Sequence, residues 1–321
     1  MTPNTAHARP QSDVTVVIPF YNRSNFARRL LQSVVEQTRP PKYVYFIDNG
    51  SQIDQKMALL KTIGEFAAYP HLDVRYFETE RTGNANIARN LGIALAQSRY
   101  IAFLDSDDWW EPSHLEQSLS ELSSTNKSGV YSGSVIHSAV TYRNTSKDIA
   151  TLPTPFHLLF SSSGWSAQTS TYVLDKMKMG AVIWDESLRR HQDYDFFLAI
   201  EKDGGGWAFN KYATGNLDRS DALLGRHFDF KSMIKFLNKW EADFPTDCLR
   251  PYLLSQMDLC LISKAPERYY NYYRLKFIKT KNGLTPRLAS SPMARKIRQL
   301  LVKISKELSI YQIIKSYLGK R

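Results

Sequence analysis

Short apolar runs alternate with segments of helical periodicity over the first 110 residues. Continuous apolar runs between polar residues are typical of strands buried on both faces, whereas apolar residues three and four apart predict helices. The strands are predicted at 14–20, 43–48, 73–78 and 100–105, and the helices at 25–37, 53–69, 84–97 and 112–123. Strands that alternate with helices predict βαβ units and an α/β fold with a mostly parallel sheet.

The regular alternation ends near residue 129. Beyond it, strands are predicted at 130–137, 170–175 and 207–214, a loop at 143–155 and a short helix at 193–206. From residue 231 onward the pattern is helical alone, so the α/β part and the C-terminal part are expected to be separate structural units.

These patterns predict three regions. Residues 1–12 are polar and are expected to be a disordered extension. Residues 13–225 are expected to form the α/β domain, with a nucleotide half at about 13–110 and an acceptor half at about 111–225. The remainder, 226–321, is expected to be helical, with a basic amphipathic tail from about 274.

The composition, 43% hydrophobic and 23% charged, indicates an ordinary globular protein. Cys248 and Cys260 lack Cys-x-x-Cys spacing, so a disulfide framework or zinc site is not expected and a reducing compartment is favoured. The N-terminus has no apolar core of a signal peptide, and no apolar run reaches the roughly 18 residues of a spanning helix. A cytoplasmic protein is therefore expected.

The net charge of +11 is concentrated at the C-terminus. From Arg274 onward the chain carries 13 Lys and Arg against one acidic residue, so the rest is close to neutral. Apolar residues between 297 and 318 recur three and four apart with Lys and Arg opposite, which predicts a basic amphipathic helix. Three interpretations stay open: binding to an anionic membrane surface, which we rank first, packing on the body or a partner helix, and nucleic-acid binding, which is not expected without a reader motif.

Polar clusters follow three of the predicted strands, at 19–23, 48–51 and 105–108. In an open parallel sheet, ligands bind beyond the carboxyl ends of the strands. The Asp105-Ser106-Asp107 spacing presents hard oxygen ligands suited to Mg²⁺ or Mn²⁺, which can bridge diphosphate oxygens. The alternative is that the acids only cap the helix after Pro112 or form a turn; we assign Asp108 to the cap.

Four segments, in order, resemble the family 2 glycosyltransferases of the GT-A fold. They are PFYNR (19–23), IDNGSQID (47–54), GNANIARNLGIALAQSRYIAFLDSDDWWEP (83–112) and WDESLRRHQDYDF (184–196). The resemblance covers residues 13 to about 220. It implies a Rossmann-like, mostly parallel sheet flanked by helices, and inverting transfer of a sugar from a nucleotide diphosphate to an acceptor hydroxyl.

The resemblance also implies residue roles on the nucleotide side. Pro19 and Tyr21 would frame the base and ribose, and Asp48 and Asn49 would read the base edge. The family commonly has a second acid where this chain has Asn49, whose amide oxygen can still accept a hydrogen bond from a uracil N3–H.

On the diphosphate side, Asp105, Ser106 and Asp107 would hold the ribose and the metal-bound diphosphate, with Asp107 and Asp105 as ligands of Mn²⁺ or Mg²⁺. Asn84 and Arg89 lie at the start of a helix, where backbone N–H groups and a cation suit phosphate. Their alternative roles are helix capping and a surface ion pair.

The late motif, His191 to Asp195, implies the base that removes the acceptor proton. Asp193 is assigned this role, with helix capping as the alternative and His191 as the less favoured base. Asp195 is expected to orient the loop. Gln192 stands where the family commonly has Glu, and the loss of a neighbouring carboxylate should lower the pKa of Asp193.

Aromatic residues near these motifs have two interpretations. Trp109, Trp110 and Trp165 either form a floor under a sugar ring or pack in the core, and core packing is favoured for at least one of the first two. The segment 161–165, SSSGW, is expected to be an acceptor-side flap.

The sequence therefore predicts a hexosyl- or N-acetylhexosaminyltransferase that uses a UDP-sugar and a glycan or lipid-linked acceptor, in bacterial surface polysaccharide synthesis. A nucleotide-sugar-binding or nucleotidyltransferase-like protein is the alternative. A nucleotidyltransferase should show a basic glycine-rich loop after the first strand, and PFYNRSN (19–25) is not such a loop. A binding module without activity would have no need of the predicted metal and base carboxylates.

Overall fold

The computed structural model describes residues 11–69, 72–138, 141–144, 146–161, 165–220 and 228–280, together with Met293 and Lys296. The strands are β1 (Ser12–Phe20), β2 (Pro41–Asn49), β3 (Asp73–Thr79), β4 (Tyr100–Phe103), β5 (Trp109–Trp110), β6 (Gly129–His137), β7 (Tyr142–Asn144), β8 (Val173–Asp175) and β9 (Trp207–Asp218). The helices are α1 (Ser24–Val35), α2 (Ile53–Phe66), α3 (Ala85–Leu95), α4 (His114–Ser124), α5 (Pro155–Phe160), α6 (Gln192–Asp203), α7 (Phe230–Trp240), α8 (Thr246–Ile262) and α9 (Glu267–Lys279). Two short 3₁₀ helices cover Ile149–Thr151 and Thr169–Thr171.

Within this part of the chain one mixed sheet forms, in the order β3-β2-β1-β4-β8-β6-β9-β5, with β7 paired to β6. Strands β1 to β4 are parallel to one another, as the βαβ pattern predicts. Strand β8 is antiparallel to both β4 and β6, and therefore joins the parallel half to the second half. The carboxyl ends of β1, β2 and β4 consequently lie at one edge.

The predicted elements of the nucleotide half are confirmed, with ends that differ by a few residues. Three predictions of detail are wrong. Pro112 precedes α4 instead of lying in its first turn, because the helix begins after Ser113. The predicted loop 143–155 contains the 3₁₀ turn Ile149–Thr151 and the first residue of α5. The predicted strand 170–175 is reduced to β8, since a 3₁₀ turn precedes it.

The sheet is covered by helices on both faces. In β1, Val16 and Ile18 point to a core with α1, α2 and α4, whereas Val17 points to the opposite core with α3 and α6. This is the two-residue period of a strand buried on both sides. Gly92 allows α3 to approach closely, because a Cβ at this position would lie 2.3 Å from Cγ1 of Val17.

Helices α7, α8 and α9 form a third core that packs against α5 and α6. Cys248 and Cys260 are buried free thiols in it, and burial raises their pKa to about 11 and about 12. Among the helices described, none is long and apolar enough to cross a membrane. The predicted extension at 1–10 and the predicted amphipathic tail beyond residue 280 lie outside the described residues, so membrane association stays a prediction.

Candidate active site

A cleft of about 590 Å³ lies at the carboxyl ends of β1, β2 and β4. A smaller cavity of about 370 Å³, which contains Asp193, adjoins it. Both cavities are lined by Arg89, Asp105, Arg190, Gln192 and Arg219. The predicted metal-binding turn and the predicted base thus face one continuous space. We call the larger cavity the donor cleft and the smaller one the base cavity.

Asp105 lies just beyond β4 and is held by Arg89. One carboxylate oxygen accepts a hydrogen bond from Nη2 of Arg89 at 2.7 Å. Arg89 is 3% exposed, its guanidinium lies 4.4 Å from the ring centre of Trp184, and Nη1 donates to Asn86. The arginine predicted to contact phosphate therefore also fixes the orientation of Asp105.

Asp107 forms an ion pair with Arg23, which follows β1. Burial raises the pKa of Asp107, the Arg23 cation lowers it, and the Asp105 charge raises it. Two neighbouring carboxylates with this electrostatic conflict gain from a divalent cation, which supplies the positive charge and prefers oxygen ligands. The residues present thus fit the Mn²⁺ or Mg²⁺ that the sequence predicts, with Asp105 and Asp107 as its holders.

The prediction that Asp108 caps the following helix is wrong. Asp108 is 1% exposed and turns inward, where Oδ2 accepts from the Ser170 hydroxyl at 2.5 Å and Oδ1 accepts from the backbone of Asp218 at 3.0 Å. Burial raises its pKa well above the usual range. Asp108 therefore ties the metal-binding turn to β8 and β9 from below.

Pro19, Tyr21 and Ser106 line the donor cleft. The ring of Tyr21 is 37% exposed, and the Arg81 guanidinium lies 5.1 Å from its centre. An exposed aromatic face at the entrance suits the stacking of a base. Stacking by Tyr21 stays a prediction.

Asp48 lies one layer below the cleft. It is fully buried, Oδ1 accepts from the Ser51 backbone and hydroxyl, and Oδ2 accepts from the Tyr76 hydroxyl at 2.6 Å. The hydrogen bonds hold the loop after β2 in place. Direct contact between Asp48 and a base stays a prediction, and the structure places this carboxylate in contact with protein donors.

Asn49 lines the cleft, while Asn84 lies beneath it. The amide oxygen of Asn49 accepts from the backbone and hydroxyl of Thr82, at 2.8 and 2.9 Å. The side chain of Asn84 accepts from the backbone of Asn86 as the N-cap of α3 and donates to the backbone of Glu186. Both amides therefore support the loop that leads to α3, which is the capping alternative considered for Asn84.

Asp193 lies in the first turn of α6 and lines the base cavity. Burial raises its pKa, backbone N–H groups of the turn and the Arg89 cation lower it, and the Asp105 charge raises it. Burial outweighs any lowering from the absent carboxylate at Gln192. The N-cap position belongs to His191, so helix capping by Asp193 is excluded.

His191 and Asp195 have structural surroundings. His191 has a positive φ of 61°, and its ring packs 5.1 Å from Phe236 and 5.6 Å from Tyr252. Burial, with the Arg190 cation, lowers the pKa of His191 to about 3, so the ring is neutral and only weakly basic. Asp195 points away from the cavity toward α7, as described in the Discussion.

The tryptophans separate into core and surface positions. Trp110 is 2% exposed, donates from Nε1 to the backbone of Ser170 at 2.6 Å and stacks on His114, so core packing is confirmed for it. Trp109 is half-buried beneath the Arg29 guanidinium, 3.8 Å from the ring centre. Trp165 packs partly buried against the core of α3 and α6, and 162–164 of the predicted flap lie outside the described residues.

Several arginines in the donor cleft were missed by the sequence analysis. Arg23, Arg81, Arg190 and Arg219 line it besides Arg89. They lie on four separate loops, and only Arg23 and Arg190 fall inside the quoted motifs. Gly50 positions one of them: at φ 72° its backbone lies against Arg81, and a Cβ would be 2.7 Å from the Cβ of Arg81.

Comparison with known proteins agrees with this geometry. The model of the family Glycosyl transferase family 2 matches residues 15–179. The amylovoran biosynthesis glycosyltransferase AmsB of Erwinia amylovora is 31% identical over 198 residues, which are 59% of this chain and 64% of that protein. This chain thus spans just under two thirds of the length of that relative.

Solved structures show the same fold. S. aureus TarS 1–349 superimposes with a TM-score of 0.60 at 14% identity, covering 96% of this chain and 92% of that one. TarS 1–349 in complex with UDP-GlcNAc gives a TM-score of 0.53 at 14% identity, with 83% and 88% covered. The mixed sheet flanked by helices is therefore GT-A-like, and the chain belongs to glycosyltransferase family 2.

Proposed function

We propose that the protein transfers a hexosyl or N-acetylhexosaminyl group from a UDP-sugar to a hydroxyl of a glycan or lipid-linked acceptor, with inversion, in bacterial surface polysaccharide synthesis. The observation that carries the proposal is that Asp105, Asp107 and Asp193 line adjoining cavities. The UDP-GlcNAc complex of TarS supports the donor class, and the name of AmsB supports polysaccharide synthesis.

The donor cleft is suited to a diphosphate by its charge. Arg23, Arg81, Arg190 and Arg219 surround the carboxylates, and arginine donates paired hydrogen bonds to phosphate oxygens. Asp105 and Asp107 would hold Mn²⁺ or Mg²⁺, which when bound stabilises negative charge on the departing diphosphate. Arg89 keeps the Asp105 carboxylate oriented toward the cleft.

The base cavity is suited to the acceptor. Asp193 would accept the proton of the acceptor hydroxyl as that oxygen attacks the anomeric carbon, while the bond to the diphosphate breaks on the opposite side. A raised pKa makes a carboxylate a stronger base near neutral pH. With a pKa lowered to about 3, His191 is poorly suited to the same step.

Two substitutions separate binding from transfer. With Mn²⁺ present, Asp107→Asn should weaken UDP binding about tenfold or more by calorimetry, since one metal ligand loses its charge. Asp193→Asn should leave UDP affinity within about twofold and lower UDP release with acceptor by roughly 10²–10⁴. Asp203→Asn, an exposed acid at the far end of α6, is the matched control and should change neither.

The donor is identified by measuring slow UDP release from a panel of UDP-sugars. Unchanged, metal-independent UDP binding by Asp107→Asn would contradict the metal site. Normal transfer by Asp193→Asn would contradict its assignment as the base.

A further inference from the structure

A third cavity of about 810 Å³ opens beside the donor cleft. It lies between Arg189 and Arg190, the N-terminal end of α7, and the connection from α8 to α9. It shares Gly83 and Arg190 with the donor cleft, and both arginines with the base cavity. We call it the helical groove; Arg190 lies where all three spaces meet.

The helical groove is strongly cationic. Arg189, Arg190, Lys231 and Lys264 line it, against one acid, Asp229. The Asp229 carboxylate already accepts a hydrogen bond from the backbone of Ser232 at 3.0 Å, as the N-cap of α7. The excess positive charge of the groove therefore favours an anionic ligand.

The groove also has an aromatic wall. Phe230 and Tyr269 stack with ring centres 5.0 Å apart, Phe228 lies 6.2 Å from Phe230, and the Arg190 guanidinium lies 5.4 Å from the centre of the Phe228 ring. Aromatic rings accept the apolar C–H faces of sugar rings, so this wall and the cations together suit a sugar that carries a negative charge.

The two arginines are fixed by α7. The Ser232 hydroxyl accepts from the backbone N–H groups of both Arg189 and Arg190 at 2.9 Å and lies 3.1 Å from the Arg190 carbonyl. The segment that leads into the base cavity is thereby anchored to the helical region. A ligand lying along the groove would extend toward Asp193.

We propose that the helical groove binds the acceptor, and that this acceptor is an anionic glycan bearing carboxylate or phosphate groups. The inference rests on the proposed function, because it assumes that the base cavity receives an acceptor hydroxyl. The anionic group would lie against Lys231 and Lys264, while the reacting hydroxyl reaches Asp193.

The test compares two matched pairs of probes by calorimetry with UDP and Mn²⁺ present. A glucuronate-containing hyaluronan tetrasaccharide is paired with neutral chitotetraose, and glucose 1-phosphate with methyl glucoside. At least one anionic probe should bind about tenfold or more tightly than its neutral partner at about 50 mM salt, and the difference should shrink at about 1 M salt. The pair that shows the preference identifies carboxylate or phosphate.

The double variant Lys231→Glu/Lys264→Glu should lose about tenfold or more of the affinity for the anionic probe, because two attractions become repulsions. Its UDP affinity should stay within about twofold. The control Lys61→Glu/Lys211→Glu carries the same charge change on exposed positions of α2 and β9, and should retain the probe affinity.

Equal binding of both members in both pairs would overturn the inference, and so would equal losses in the two double variants. Failure of the wild type to bind UDP would instead overturn the proposed function. The two failures are therefore distinguishable.

Discussion

Asp195 and Asp193 lie two residues apart in α6, and we predict that they separate stability from activity. Asp195 is 1% exposed, its Oδ1 accepts from Nε1 of Trp240 at 2.8 Å, and its carboxylate pairs with Lys239 at 2.8 Å. These contacts join α6 to α7. Asp195→Ala would leave the Trp240 donor, itself 5% exposed, without its acceptor.

The expected loss of unfolding free energy follows from these contacts. A buried donor left unsatisfied costs about 1–3 kcal/mol. The pair with Lys239 adds less than about 1 kcal/mol, because the lysine side chain is 42% exposed and solvent screens it. Burial raises the pKa of Asp195, so removing the carboxylate also relieves a desolvation penalty. A net loss of about 2 kcal/mol is expected.

The assay is urea unfolding followed by tryptophan fluorescence, with UDP release measured on the folded protein. Asp195→Ala should unfold at lower urea and keep activity near the wild-type level, and Asp195→Asn should recover most of the stability because its amide oxygen can still accept from Trp240. Asp193→Asn should behave in the opposite way, stable and inactive. A fully stable Asp195→Ala, or one whose folded form is as inactive as Asp193→Asn, would refute this reasoning.

Two further predictions concern acid stability and the donor cleft. Burial lowers the pKa of His114 from 6.5 to about 3, so the unfolded chain takes up a proton that the folded chain does not; between pH 7.5 and 5.5 the wild type should lose about 1.4 kcal/mol more unfolding free energy than His114→Gln, and parallel pH curves would contradict this. Gly50→Ala should displace Arg81 and weaken UDP binding several-fold by calorimetry, because the new Cβ meets the Arg81 backbone at 2.9 Å and φ is positive. Gly64→Ala, in open space on α2, is its control, and equal UDP affinity in both variants would count against the contact.

The hydrophobic pattern predicted the nucleotide half well because each of its strands is buried on both faces. Val14 to Phe20 is apolar almost throughout, and such a run fits a central parallel strand. Strand β5, by contrast, is only Trp109–Trp110, too short for any period to register, and it pairs with the distant β9. Its existence depends on tertiary contacts.

The candidate site was predicted in part, for a similar reason. Local motifs placed Asp105, Asp107 and Asp193 beside one another because strand ends converge at one edge of the sheet. They could not tell that Asp108 turns inward, since a run of acids does not say which carboxylate faces solvent. Arg219 was missed as well, because nothing in its own neighbourhood marks the residue that the far end of β9 brings to the cleft.

The burial of Cys248 and Cys260 makes this chain favourable for site-directed labelling. With pKa values of about 11 and about 12, about one thiol in 3,000 or fewer is the reactive thiolate at pH 7.5, and both sulfurs are packed inside the helical region. A cysteine placed on the surface would react with a maleimide dye long before either native thiol. A single fluorophore at Lys264→Cys could therefore follow occupancy of the helical groove without removing any residue of the core.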